Sequence, residues 1–129
     1  MKQRFQVRKE LVQAIYTLLM RVESYDELLM SQDDEYGKSC FEGIYQTKDE
    51  LDTAIEQYIK NDKADELYTI DQAILLLAAY ELKYRPDVPY KVVIDQAIRL
   101  AKIYGGDDGY KLVNAVVDQL AKEMRPQES

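Results

Sequence analysis

Four cations and no acid fall within the first nine residues, MKQRFQVRK, of a chain whose formal net charge is −7. Lys2, Arg4, Arg8 and Lys9 are therefore the side chains best suited by type to meet phosphate oxygens, because nucleic-acid recognition draws on clustered Lys and Arg. Cations at a helix start oppose the helix macrodipole, at a cost of about a few tenths of a kcal/mol each. A solvated, fraying terminus accounts for them equally well. The rest of the inventory offers little chemistry. There is no histidine, which removes the commonest general base and metal ligand. Cys40 is alone, so it forms neither an internal disulfide nor a multi-cysteine zinc site, and it reads as a small packed hydrophobe. Asp33-Asp34-Glu35 and Asp107-Asp108 lack the alternating ligands and closing glutamate of a calcium loop; helix capping explains them better. Gly105, Gly106 and Gly109 follow a helix rather than a strand, which is the wrong setting for a phosphate-binding fingerprint. Tyr16, Tyr80, Tyr84, Tyr90 and Tyr104 could stack on bases, yet tyrosines at helical spacing more often pack. No nucleophile, base and oxyanion site assemble, and no cofactor or metal site is expected. The chain does not read as an enzyme.

The elements that must position these residues read as helices throughout. The strongest stretch runs from Thr69 to Leu120. Thr69 and Gln72 have capping-box spacing, and Ile70, Ala73, Ile74, Leu77, Ala78 and Leu82 form a helical stripe. Leu75, Leu76 and Ala79 make that helix apolar almost all round, which predicts a central, buried position. Pro86 ends it. Asp87 is the expected N-cap of the next helix, with Pro89 in its first turn and Val92, Val93, Ala97, Leu100, Ala101 and Tyr104 facing inward. Gly105-Gly106 is expected to stop it in a left-handed conformation. Asp107 or Asp108 should cap a last helix striped by Leu112, Val113, Val116, Val117, Leu120 and Met124.

Upstream, a first helix is expected from about Gln3 to Arg21, on Val7, Leu11, Ala14 or Ile15, Leu18 and Val22. Ser24 and Glu27 make a capping box for a short helix. Asp33 or Asp34 caps the next, whose buried side is Phe41, Ile44 and Tyr45. Thr47 and Glu50 suggest a further start, leading through Leu51, Ala54, Ile55, Tyr58 and Ile59 to an end near Asn61. KNDKADEL is a polar link. Seven helices with no strand between them predict an all-α single domain over residues 1–129, with an N-terminal half of about 1–62 and a C-terminal half of about 65–125. Length and a 47% hydrophobic content suit one domain with a sizeable core. No apolar run approaches the roughly 20 residues that span a bilayer, and the N-terminus has no secretory core. A lone cysteine fits a reducing cytoplasm.

AILLLAAYELKYRPDVPYKVVIDQAIRLAKIYGGDDGYKLVNAVVDQLA resembles the C-terminal half of the NusB family of bacterial transcription antitermination factors. The matching elements are Tyr80-Glu81-Leu82, Asp87 through Val92, Ala97 through Lys102, the glycine break, and Val113-Asn114 with the helix closing near Leu120. The first half is similar more faintly, through Arg8 and Val12 to Tyr16, and is shorter than usual for the family. The resemblance implies two packed helical subdomains and function without catalysis. It implies pairing with the small-subunit ribosomal protein NusE, binding of single-stranded boxA RNA in ribosomal leaders, and assembly on the transcription elongation complex. Carried over, Lys2, Arg4 and Arg8, with Lys9 beside them, would meet phosphates. Lys91, Lys111 and Asn114 would lie near the same surface, with Asp108 at its edge. Tyr16 and Asp71 match positions that resemble the family's contact with NusE.

The departures bear on RNA binding. The family's arginine run is broken to Arg4-Phe5-Gln6-Val7-Arg8, and Leu76 stands where an arginine is usual. Asp95-Gln96 replaces Asn-Glu, Leu112-Val113-Asn114-Ala115 replaces Phe-Val-Asn-Gly, and Gly109 replaces a serine. Each lost phosphate contact removes roughly one unit from the salt-dependence slope. The alternative reading is thus an adaptor or homodimer of the same fold that keeps protein binding and has weak or no RNA binding. A domain appended to an RNA methyltransferase is disfavoured, since no catalytic domain follows Ser129.

Overall fold

The computed structural model describes residues 2–59, 67–105 and 108–128. They form six helices: α1 (Arg4–Leu19), α2 (Tyr25–Ser31), α3 (Glu35–Glu56), α4 (Thr69–Tyr84), α5 (Tyr90–Tyr104) and α6 (Gly109–Met124). No strand occurs among the described residues. α4 is the axis. Every residue from Ala73 to Leu82 is buried, and the helix packs against α1, α3, α5 and α6. A helix apolar on all sides can hide its surface only by being surrounded. Val7, Leu11 and Ile15 from α1, Phe41 and Leu51 from α3, Val93 and Leu100 from α5, and Val116 and Leu120 from α6 complete one contiguous core.

The helix count is six rather than seven because the two helices expected on either side of Thr47 are one. Thr47 lies inside α3 and donates its hydroxyl to the Gly43 carbonyl at 2.7 Å, the bond of a mid-helix threonine. Glu50, its presumed capping partner, instead joins α3 to the end of α4, accepting from Lys83 at 2.5 Å and from Tyr84 at 2.6 Å. Ser24 and Asp34 do cap. Their side chains accept from the amides of Glu27 and Gly37.

Other junctions differ in detail. Tyr68, not Thr69, is the N-cap of α4, and Gln72 donates to Asp52 in place of a capping box. Pro89, not Asp87, is the N-cap of α5. Gly105 ends α5 in an extended conformation (φ −85°, ψ 174°) rather than a left-handed one. A Cβ there would stand 2.7 Å from the Ala101 carbonyl oxygen, which is the steric reason for glycine. Asp108 is the N-cap of α6 but makes no side-chain cap bond; its carboxylate pairs with Lys111. α1 ends at Leu19, and Arg21 is left-handed (φ 59°). The amides of Arg21 and Val22 bond back to Leu18 and Thr17, a Schellman closure without its usual glycine. The helix end expected near Asn61, most of the KNDKADEL link, Gly106 and Asp107 lie outside the described residues.

α3 packs tightly on α4 at Gly43, where a Cβ would stand 2.2 Å from the Tyr80 hydroxyl and 2.5 Å from its ring. Gly43→Ala is expected to destabilise the fold by about 1–3 kcal/mol through overpacking. That outweighs the roughly 1 kcal/mol that alanine gains in helix propensity. A urea midpoint equal to or above that of the parent would refute it.

Candidate functional site

The cationic start of α1 is split by the fold. Lys2 and Arg4 are exposed, and Lys9 is half-buried. Arg8 is not at the surface. Its side chain is 3% exposed, because Arg8 falls on the inward stripe with Leu11 and Val12. Its Nε and Nη2 donate to the carboxylate of Glu81 at 2.9 Å each, and Nη1 donates to the Gln96 amide oxygen at 2.9 Å. Tyr36 adds a hydroxyl to the same carboxylate at 2.5 Å. Four helices meet in this polar knot: α1, α3, α4 and α5. The expected phosphate contact of Arg8 gives way to an internal ion pair, since every nitrogen of its guanidinium is already bonded inside.

Lys2 is held between Glu10 at 2.7 Å and Asp33 at 2.6 Å. The hydrogen bond to Asp33, with that to Glu10, pushes its ammonium up to about 12. Arg4 lies over Tyr36, its guanidinium carbon 3.6 Å from the ring centroid. Asp108, Lys111 and Asn114 follow one another at three-residue spacing along the start of α6, all exposed, with Lys111 and Asp108 paired at 3.2 Å. Lys91 is exposed at the start of α5 and borders a shallow 330 Å³ hollow with Pro86, Asp87, Tyr90 and Glu128.

Tyr16 is 37% exposed and lines an open groove of about 860 Å³ with Gln13, Thr17, Met20, Tyr68, Ile70 and Tyr104. Gln13 donates to the Tyr104 hydroxyl at 2.8 Å, fixing one wall. Met20 and Tyr68 are exposed large side chains on the same groove. A concave, largely apolar surface of this kind suits a protein partner. Asp71 is not part of its accessible wall. It is 2% exposed, and its carboxylate faces the positions where Gly105 and Gly109 would carry a Cβ. Burial pushes the Asp71 carboxyl above the usual carboxylate range. The expected partner contact of Asp71 is therefore replaced by a position inside the α5–α6 corner.

Cys40 is fully buried, and burial pushes its thiol up, away from the thiolate. No group of three or more Asp, Glu or Cys among the described residues could hold a metal ion. No helix of the described residues is long and apolar enough to cross a membrane. Sequence reasoning missed Tyr36, Arg85 and Arg99. Arg99 on α5 stands 4.1 Å from the centroid of Phe5, and Arg85 stands 5.4 Å from that of Tyr36. A cation following a tyrosine at the end of a leucine-rich helix gave no local hint that it would fold back over another helix.

Six helices, with the buried α4 as axis and α1, α3, α5 and α6 packed on it, define an all-helical protein among the described residues. The NusB family profile matches residues 3–122, and the chain belongs to the NusB family. It is 47% identical over 94 residues to the transcription antitermination protein NusB of Xanthomonas campestris pv. campestris (strain B100), covering 73% of this chain and 58% of that protein. It is 44% identical over 96 residues to the protein of the same name from Methylobacillus flagellatus, covering 74% of this chain and 62% of that one. The matched segments thus span about three-fifths of those relatives' length. A solved structure of T. maritima NusB superposes with a TM-score of 0.87 at 30% identity, over 98% of this chain and 96% of that one.

Proposed function

We propose that the chain is a transcription antitermination factor of ribosomal RNA operons, working without catalysis in the cytoplasm. It binds boxA-type single-stranded leader RNA together with ribosomal protein NusE, and the pair joins the transcription elongation complex. The observation that carries this reading is the division of labour along α1. Its start presents Lys2 and Arg4 to solvent, and its later turns present Tyr16 and Met20 to an open aromatic groove. The cationic end suits the backbone of an extended RNA strand, and the groove suits NusE.

The test is binding of boxA RNA and of a scrambled control by the protein with and without NusE. We expect the NusE complex to prefer boxA, and Arg4→Ala to weaken binding about three- to tenfold, as for one charge-assisted contact. Equal binding of both RNAs would overturn the proposal. A second reading, an adaptor or homodimer with little RNA affinity, is favoured by one set of observations. Arg8 is internal, Lys2 and Lys111 are neutralised by carboxylates, and the chain carries a net −7. A stable dimer in light scattering that recovers no NusE would decide for it.

A further inference from the structure

The end of α4 brings a second guanidinium to the ring that Arg4 covers. We propose that Arg85, acting with Arg4 beside Tyr36, contacts the phosphate backbone of single-stranded RNA, a contact that rests on the RNA-binding reading above. Arg4 and Arg85 lie 3.6 and 5.4 Å from the Tyr36 centroid, and Arg85 lies 5.8 Å from that of Tyr80. The Tyr36 ring that both approach is fixed, because its hydroxyl is tied to buried Glu81. The two cations are thus held in place before any ligand arrives, which lowers the ordering cost of binding.

Their charges are also uncommitted. Among the described residues neither Arg4 nor Arg85 has a carboxylate within ion-pair distance, in contrast to Lys2, Lys83 and Lys111. Two neighbouring acids are engaged, Asp33 by Lys2 and Asp34 by the Gly37 amide, while Glu35 is exposed beside Tyr36. Arg85 donates from Nη2 to Ser39 and its Nε is buried, so an anion would meet the terminal Nη1–Nη2 edge. A guanidinium has five donors in a planar fork, so this one keeps capacity for an anion's oxygens. Phosphate geometry matches that fork, and single strands add stacking on guanidinium and phenol planes.

The experiment is fluorescence anisotropy of a labelled boxA-type RNA with the NusE complex from 50 to 200 mM KCl. It compares the parent with Arg85→Ala and Arg85→Lys, each checked by thermal melting. Arg85→Ala should weaken binding about tenfold and reduce the slope of log K against log salt by about 0.7. Arg85→Lys should keep the slope and recover part of the affinity, because it keeps the charge and loses the fork. If the parent binds RNA and Arg85→Ala matches it in affinity and slope, the Arg85 contact is wrong while the RNA-binding reading stands. If Arg85→Ala loses NusE and keeps RNA, Arg85 faces protein and the proposal fails. If the parent binds no RNA, both readings fall.

Discussion

Arg8→Ala is expected to destabilise the fold by about 3–5 kcal/mol, because it strands the Glu81 carboxylate in the core. That carboxylate is 2% exposed, and without Arg8 it keeps a single hydrogen-bond donor among the described residues, the Tyr36 hydroxyl. For a chain of this size the melting temperature should fall by roughly 10–20 °C. Glu81→Ala should cost a similar amount, by leaving a buried guanidinium with Gln96 as its remaining partner. The double replacement Arg8→Met/Glu81→Leu should recover most of the loss, since a buried ion pair exchanged for apolar side chains of similar volume is often neutral or stabilising. Urea denaturation of these proteins, with Arg8→Met and Glu81→Leu made singly to close the cycle, checks it. Additive single losses in the double variant would show that the pair is not the source of the effect. The cycle also bears on RNA binding. If the double variant folds and binds RNA as the parent does, Arg8 is architectural, and any loss in Arg8→Ala comes from unfolding.

The second large effect is expected at Arg125, which follows α6 and is 7% exposed. Its guanidinium donates to the carbonyl oxygens of Glu81 at 3.0 Å, Leu82 at 3.0 Å and Arg85 at 2.8 Å, and to that of Val88. These are carbonyls at the end of α4 and in the turn to α5. Helix C-termini leave such groups without intrahelical partners, and a cation there also meets the negative end of the macrodipole. Arg125→Ala should cost about 3 kcal/mol, the range for losing several charge-assisted bonds with partial replacement by water. Arg125→Lys should recover less than half, since an ammonium lacks the planar guanidinium fork that serves these four carbonyls. Hydrogen exchange should then quicken at the amides of Arg85 and Val88, which close this turn. Unchanged exchange there with an unchanged melting temperature would sink the assignment.

Both arginines show where local reading reached its limit. Arg8 lies four residues before Val12 and three before Leu11, yet its charge put it among the expected phosphate contacts. Glu81 interrupts an otherwise apolar run, which marks a buried acid in want of a partner. Their pairing spans 73 residues of sequence, and no spacing rule connects them. The same holds for Arg85, whose path over Tyr36 depends on how α4 lies against α3. Thr47 failed in the opposite sense: its capping pattern was present, but α3 stays continuous with Leu51 and Ile55 buried against the core.

Helical class, the central position of α4 and the cap at Ser24 were determined by the sequence alone, which left the next cap open between Asp33 and Asp34. Each depends on residues within a turn or two of one another, where periodicity and capping act. The Thr69–Leu120 stretch likewise carried the family resemblance. Tertiary structure alone decided which cations stay at the surface. Whether a guanidinium faces solvent or a buried carboxylate is set by the residues that distant helices bring to it.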